Sequence, residues 1–291
     1  MRGKRLLAVS VAVLVVALAA ALFIKESGKG GEGSGIIVVV TIPPQAEFVK
    51  RVGGEKVTVI TMVPQWANPH TYEPTPAQLM NVSKAKMYVK MGSGIEFEIA
   101  WMDKIKSINE NMLIVDCSNG IELLKENGKA DPHIWLSPKN AKIIVENICE
   151  GLVQIDPANS TYYEQNKEAY LRELDALDKE ISQILSKAST HKFIVYHPAW
   201  SYFARDYGLE QISIEEGGKE PTPERIASII EEAKRNNITK IFASPQFKDK
   251  AEVIAKEIGG EVVEINPLAE NYIENMRKFA EELAEKGENE R

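Results

Sequence analysis

Short runs of β-branched residues alternate with longer helical patterns along most of this chain, and this alternation limits the folds that it can adopt. Seven runs are predicted to be strands: Ile36–Thr41, Val57–Val63, Met87–Met91, Met112–Asp116, Lys192–Tyr196, Lys240–Ala243 and Glu261–Ile265. Helical patterns lie between them, as at Asn140–Val153 and Thr222–Arg235. This alternation is typical of βαβ units, so we predict α/β architecture with mostly parallel sheets, covered by helices on both faces.

One long segment interrupts the alternation. Residues 158–187 contain neither glycine nor proline, and one apolar stripe repeats at spacings of four and three: Tyr170, Leu174, Leu177, Ile181 and Ile184. This pattern predicts a continuous helix of about 45 Å at 1.5 Å per residue. A long surface helix or a coiled-coil arm would show the same stripe. Because α/β patterns flank it on both sides, we predict one rigid helix at 158–188 that joins lobes at 36–157 and 189–291.

The N-terminal segment is predicted to lie outside the fold. Three basic residues precede an apolar run of 19 residues, Leu6–Ile24, which is the pattern of a secretory signal in residues 1–24. The run also approaches the roughly 20 residues that span a bilayer, so an uncleaved signal anchor is the alternative. No cysteine follows it before Cys117, which does not support a lipid anchor. Residues 25–35 are glycine-rich and predicted to be a flexible linker, so we expect the rest to be exported, either secreted or tethered outside the cytoplasmic membrane.

Net charge and cysteine content exclude few further functions. The net charge of −7 argues mildly against nucleic acid or anionic membrane surfaces as partners. Cys117 and Cys149 are the only cysteines. In an exported protein they could form a disulfide, but buried free thiols are an equal alternative. Neither cysteine is expected to bind metal.

Three of the four histidines lie beside a proline: His70 in Asn-Pro-His, His133 in Asp-Pro-His and His197 in His-Pro. Their positions differ by 63 and 64 residues, so we expect each in an equivalent loop of a repeated design. Proline stiffens such a loop and can aim an imidazole. His191 lacks this context and is expected to be an exposed residue.

A single histidine is usually an ordinary core or surface residue, but three in one shared context favour a metal site. Neutral imidazole is the commonest protein ligand for zinc, and three such nitrogens with one further group make a tetrahedral site. The predicted lobes would contribute His70 and His133 from the first and His197 from the second. The metal site is therefore predicted to lie in the cleft between the lobes.

Four segments resemble the zinc- and manganese-binding proteins of metal ABC importers, the TroA-like cluster A-I family: Gln65–Pro76, Asp131–Pro138, His197–Ala204 and Asn266–Met276. The resemblance runs from about Ile36 to the C-terminus. It implies two α/β lobes, a rigid linking helix and one divalent metal ion in the cleft. It also implies a binding protein rather than an enzyme, which delivers its ion to a membrane permease. No Walker A sequence is present, so the ATPase must be a separate chain. We expect a monomer.

The resemblance places the family's histidine ligands at His70, His133 and His197. Manganese-type members commonly carry glutamate at the third position, and nitrogen ligands favour zinc, so zinc is the predicted transported ion and manganese the alternative. The family's fourth ligand is usually an aspartate, which falls here on Asn266. Because an amide is neutral, the direct ligands would leave the charge of the metal uncompensated. Water, hydroxide or a carboxylate such as Glu73 is the alternative fourth ligand.

Three histidines with an open fourth position also resemble a catalytic zinc site, so an extracytoplasmic zinc hydrolase is the second hypothesis. Against it, the sequence has no H-E-x-x-H, and no carboxylate is evident as a general base in a ligand loop. Asp131 is expected to accept the second ring N–H of a ligand histidine, or only to form a turn. Nearby aromatic residues are expected to exclude water by packing: Trp66, Tyr72, Trp135 and Trp200.

Overall fold

Two parallel four-stranded sheets form the framework of the computed structural model, which describes residues 35–126, 128–188, 190–216 and 219–285. The first sheet has the order β2-β1-β3-β4, with β1 (Ile36–Val40), β2 (Val57–Thr61), β3 (Met87–Lys90) and β4 (Leu113–Asp116). A short antiparallel hairpin follows, formed by β5 (Lys125–Glu126) and β6 (Lys129–Ala130). The second sheet has the order β10-β9-β7-β8, with β7 (Lys192–Val195), β8 (Glu210–Ser213), β9 (Lys240–Ala243) and β10 (Glu261–Glu264).

Helices connect these strands. They are α1 (Pro43–Gly53), α2 (Pro76–Val82), α3 (Glu96–Ile108), α4 (Pro138–Ile155), α5 (Ser160–Leu185), α6 (Ser201–Tyr207), α7 (Pro223–Arg235), α8 (Lys248–Glu257) and α9 (Tyr272–Ala284). Three of them begin with the same local signal, a hydroxyl residue followed by proline. Thr75, Ser137 and Thr222 each accept a hydrogen bond from the backbone N–H three residues on, which satisfies an otherwise unpaired donor of the first turn.

The structure confirms the seven predicted strands to within two residues. Val38, Val39 and Val40 are all fully buried, and because successive residues of a strand point to opposite faces, both faces of the first sheet are covered. The sequence did not predict β8. It lies at a sheet edge, and only Ile212 of its four residues is buried, so its sequence lacks the apolar run of a central strand.

The long helix is also confirmed. It is α5, with 26 residues, or about 39 Å at 1.5 Å per residue. It packs against α1 and α4 of the first lobe and against α9 of the second. One apolar core therefore runs through Val40 of the first sheet, Leu177 of α5 and Phe279 of α9. The exact lobe boundaries at 157 and 189 stay a prediction.

The predicted leader 1–24 and residues 25–34 of the linker lie outside the described residues. Among those described, no helix combines the length and the apolar character that a membrane crossing requires. Cys117 and Cys149 are both free and buried, as in the second of the two alternatives, and burial raises the pKa of the Cys149 thiol to about 12.

Helix α4 lies so close to the first sheet that one position must be glycine. A Cβ at Gly151 would come within 2.4 Å of Cγ2 of Val115 and 2.9 Å of Sδ of Met87. We expect Gly151→Ala to lower the free energy of unfolding by about 1–3 kcal/mol through overpacking, although alanine has the higher helix propensity. Chemical denaturation measures this, with the exposed Lys104→Ala in α3 as control, expected within about 0.5 kcal/mol of wild type. A Gly151→Ala protein as stable as wild type would contradict the close packing.

Candidate metal centre

The fold brings the three proline-flanked histidines together at one end of the cleft. His70 follows β2, His133 directly precedes a 3-10 turn at Ile134–Leu136, and His197 follows the carboxyl end of β7. One potential ligand atom from each lies within 4.8 Å of the others. The structure therefore gathers the predicted triad from both lobes. The loops are not equivalent, however, because the hairpin β5–β6 intervenes before His133, so the near-equal spacing does not reflect a structural repeat.

The distance between the ring nitrogens suits a shared cation. Nε2 of His133 lies 3.2 Å from Nε2 of His197, and the ring centroids of the triad are 5.1 to 5.9 Å apart. Tetrahedral zinc with Zn–N bonds of about 2.0–2.1 Å holds two ligand nitrogens about 3.3 Å apart. Two imidazole lone pairs at this distance repel each other unless a proton or a metal ion lies between them.

Each of the three rings is held from behind by a carboxylate. Nδ1 of His70 lies 2.5 Å from Oε2 of Glu96, Nδ1 of His133 lies 2.8 Å from Oδ1 of Asp131, and Nδ1 of His197 lies 2.6 Å from Oε2 of Glu215. An Nδ1–H that donates to a carboxylate leaves the Nε2 lone pair directed into the cleft and raises its basicity. The three carboxylates therefore favour, in each ring, the tautomer that a metal site requires.

Sequence reasoning anticipated Asp131 but missed Glu96 and Glu215. Glu96 begins α3, where the N–H of Phe97 donates to the carbonyl of Pro69 beside His70. Glu215 follows β8, and its N–H donates to the carbonyl of Tyr196. It lies beside His197 because the parallel pairing continues past the end of the strands. Since β8 itself was not predicted, no signal identified Glu215.

The pKa shifts at the site favour a neutral His197 and ionised Glu96 and Asp131. Burial lowers the pKa of His197, so this ring stays neutral and able to coordinate. The hydrogen bond from His70 lowers the pKa of Glu96. Burial alone would raise the pKa of Asp131, but its hydrogen bond and charge interaction with His133 bring it below the usual value. Carboxylates therefore stand behind the candidate direct ligands and place negative charge just outside them. The expectation that the direct ligands alone leave the charge of the metal uncompensated stays a prediction.

Three Asx-Pro turns shape the cleft. The side-chain oxygens of Asn68, Asp131 and Asn266 each accept the backbone N–H two residues on, all at 2.9 Å. In the first two turns that residue is the candidate ligand, His70 or His133. These turns give a physical reason for the proline context, because side chain and proline together fix the backbone that carries the imidazole.

The triad opens into a cavity of about 560 Å³, which is lined by Gln65, Trp66, Asn68, Pro69, His70, His133, Trp135, His197, Ser244, Pro245, Gln246, Phe247, Asn266, Pro267 and Leu268. Asn266 lines this cavity, and its amide oxygen accepts one hydrogen bond and retains one lone pair, so its role as fourth ligand stays a prediction. Glu73 is exposed and is not among the lining residues.

The aromatic residues near the triad divide into two groups. Trp135 and Trp200 are buried, as expected for packing residues. Trp66 is 78% exposed at the rim of the cavity, so the expectation that it excludes water by packing is wrong. Phe247 takes that role from the second lobe, since its ring stacks on His197 with centroids 6.0 Å apart. His191 is exposed, as predicted.

Two α/β lobes fixed on one helix, with imidazoles converging between them, define a bilobed protein that binds a metal ion in its cleft. Residues 38–286 match the family model described as the periplasmic component A of the zinc-uptake complex, ZnuA. The chain belongs to this ZnuA family of metal-binding, substrate-binding proteins of ABC importers. Members bind and deliver an ion and are not enzymes, so the hydrolase hypothesis has no support.

Individual relatives agree with this assignment. The chain is 32% identical over 257 residues to the high-affinity zinc uptake system protein ZnuA of Bacillus subtilis, covering 81% of this chain and 80% of that protein. It is 30% identical over 254 residues to the manganese ABC transporter substrate-binding lipoprotein PsaA of Streptococcus anginosus, covering 81% and 80%. A crystal structure of ZnuA superposes with a TM-score of 0.83 at 43% identity, covering 86% of this chain and 98% of that one.

The outer carboxylates can be tested separately from the histidines. We expect Glu215→Gln to weaken zinc binding about tenfold, the low end for loss of a group that supports a ligand, because the amide accepts the Nδ1–H but carries no charge. Competition titration against a chelating dye measures the affinity. The matched control is Glu210→Gln in β8, whose carboxylate is exposed and pairs with Lys192. Equal affinities for the wild type and Glu215→Gln would show that the charge behind His197 does not contribute.

Proposed function

We propose that this protein captures zinc outside the cytoplasmic membrane and delivers it to the permease of an ABC importer. The observation that carries the proposal is the convergence of three carboxylate-supported imidazoles, His70, His133 and His197, on one point of the cleft. Membership of the ZnuA family supports delivery to a permease. The predicted leader and linker, residues 1–35, would export the protein or tether it to the membrane, and it would work as a monomer.

Zinc is favoured over manganese by the direct ligands of this chain. Relatives are named for zinc and for manganese alike, so family membership alone does not choose between them. Imidazole nitrogen suits zinc, whereas manganese prefers carboxylate oxygen. In this chain the carboxylates lie behind the rings, at the Nδ1 atoms, and not among the direct ligands. The set of direct ligands is therefore rich in nitrogen.

The lobe arrangement supports transport rather than permanent binding. Lobes at 36–157 and 189–291, joined by the helix at 158–188, would supply ligands from both sides of one cleft. A permease that separates the lobes only slightly would move His70 away from His197. Because tetrahedral zinc needs its ligands within a few tenths of an ångström, a small displacement would release the ion.

The histidine triad gives the direct test. We expect His70→Ala, His133→Ala and His197→Ala each to weaken zinc binding at least tenfold, because each removes one direct ligand. Isothermal titration with a competing chelator measures affinity and a stoichiometry of one zinc per chain. His191→Ala, an exposed histidine outside the cleft, should bind like wild type. If His191→Ala weakened binding as much as His133→Ala does, the ligand assignment would be wrong.

The fourth ligand is tested by Asn266→Asp. Aspartate keeps the turn to Leu268 and adds an anionic oxygen at the cavity wall. We expect tighter binding of both metals, and a larger relative gain for manganese, which prefers carboxylate oxygen. Competition titrations with zinc and manganese at one pH and salt concentration measure both gains.

The control for this change is Asn68→Asp. Asn68 lines the same cavity and forms the same kind of turn, so it adds an equal charge at another place. An equal gain from Asn68→Asp would mean that the effect is general electrostatic attraction. No gain from Asn266→Asp would leave Asn266 as a residue that only forms its turn.

A further inference from the structure

The short segment that carries His133 belongs to the first lobe by sequence and accepts a hydrogen bond from the hydroxyl of Ser93 in that lobe, yet it also makes buried contacts with the second lobe. Tyr202, on α6 and five residues after His197, is fully buried. Its hydroxyl donates to the backbone carbonyl of Asp131 at 2.9 Å and accepts the N–H of Leu124 at 3.0 Å. One side chain of the second lobe therefore fixes the backbone on the N-terminal side of His133.

The C-terminal side of His133 is held in the same way. The indole N–H of Trp135 donates to the carbonyl of Pro267 at 2.8 Å, and the hydroxyl of Ser137 donates to the carboxylate of Asp206. Trp135 is 1% exposed, so its hydrogen bond to the second lobe is shielded from water. Residues 131–137 are thus attached across the cleft on both sides of the candidate ligand.

The segment that carries His70 is attached differently. Among the described residues, its polar contacts run to the first lobe: the carbonyl of Pro69 accepts the N–H of Phe97, and His70 contacts Glu96 and Asn68. The spacing between His70 and the other two rings therefore depends on how the lobes lie. The spacing between His133 and His197 depends on Tyr202 and Trp135.

We propose that Tyr202 and Trp135 are positioning residues that set His133 against His197 and so create a preformed two-histidine half of the metal site. The proposal rests on the proposed function, since it assigns these residues a task in zinc binding. A metal site tolerates displacements of only about 0.5 Å in the positions of its ligand atoms. Two hydrogen bonds donated by fully buried side chains, one on each side of His133, hold the 3.2 Å distance between the two Nε2 atoms within that tolerance.

The test replaces Tyr202 by phenylalanine, which keeps the buried ring and its contact with the guanidinium of Arg205 but removes the hydroxyl. Tyr163→Phe is the matched control, because Tyr163 is equally buried and its hydroxyl donates to Asp156 at 2.7 Å, outside the cavity lining. We expect Tyr202→Phe to weaken zinc binding about tenfold, and Tyr163→Phe to bind within about twofold of wild type.

Two further readouts separate positioning from a loss of stability. Denaturant midpoints of both variants show whether they lose comparable stability. The visible absorption of bound Co²⁺ reports coordination geometry, which should change in Tyr202→Phe but not in Tyr163→Phe. Trp135→Phe removes the other hydrogen bond and should resemble Tyr202→Phe.

In a His133→Ala background, Tyr202→Phe should cause no further loss of zinc affinity, because a residue that acts through His133 has no effect once His133 is gone.

Each outcome decides the matter. Wild-type affinity and an unchanged Co²⁺ spectrum in Tyr202→Phe, or the same tenfold loss in the His133→Ala background, would overturn the positioning role while leaving zinc capture intact. If wild-type protein bound no zinc, the proposed function itself would fail. A tenfold loss confined to variants with His133 present, with Tyr163→Phe unaffected, supports the proposal.

Discussion

The burial of one helix face against both lobes is the constraint on which the rest of the structure depends. Leu174, Leu177 and Ile181 of α5 are almost completely buried, and the core that they join runs without interruption from the first sheet to α9. A core packed to solid-like density resists shear, so the lobes have one preferred mutual orientation. This orientation brings His70 of the first lobe beside His197 of the second, with their ring centroids 5.2 Å apart.

Polar contacts between the lobes add to the apolar core in setting the relative orientation of the lobes. Glu47 of α1 accepts hydrogen bonds from the hydroxyl of Tyr170 on α5 and from the N–H of Tyr272 at the start of α9, so one partly buried carboxylate contacts both lobes and the linking helix. Burial raises the pKa of Glu47, and the hydrogen bonds from Tyr272 and Tyr170 and the charge of Arg51 oppose that shift without cancelling it. Loss of the two donors would cost free energy, because the partly buried Glu47 carboxylate would be left without hydrogen-bond partners. The contact therefore favours one arrangement of the lobes.

The sequence predicted the features that repeat along the chain and missed those that depend on contacts between distant segments. Seven strands and the long helix followed from periodicity, because apolar side chains such as Val38 and Leu177 must reach the core at fixed intervals. The three histidines followed from their proline context. Glu96 and Glu215 could not be predicted, since they reach His70 and His197 only through the path of α3 and through a strand edge with little apolar signal. The exposure of Trp66 likewise depends on where a loop lies.

The arrangement of charge explains how a site with neutral direct ligands can hold a dication and still give it up. Carboxylates that coordinate directly would attract the ion at the shortest distance and would favour hard, oxygen-preferring metals. Carboxylates placed behind imidazoles act over a longer distance, and Glu96, which is 55% exposed, is further weakened by solvent screening. The attraction therefore depends on the rings being aligned. When the lobes shift, each imidazole moves together with its own carboxylate, so direct coordination and charge compensation are lost together.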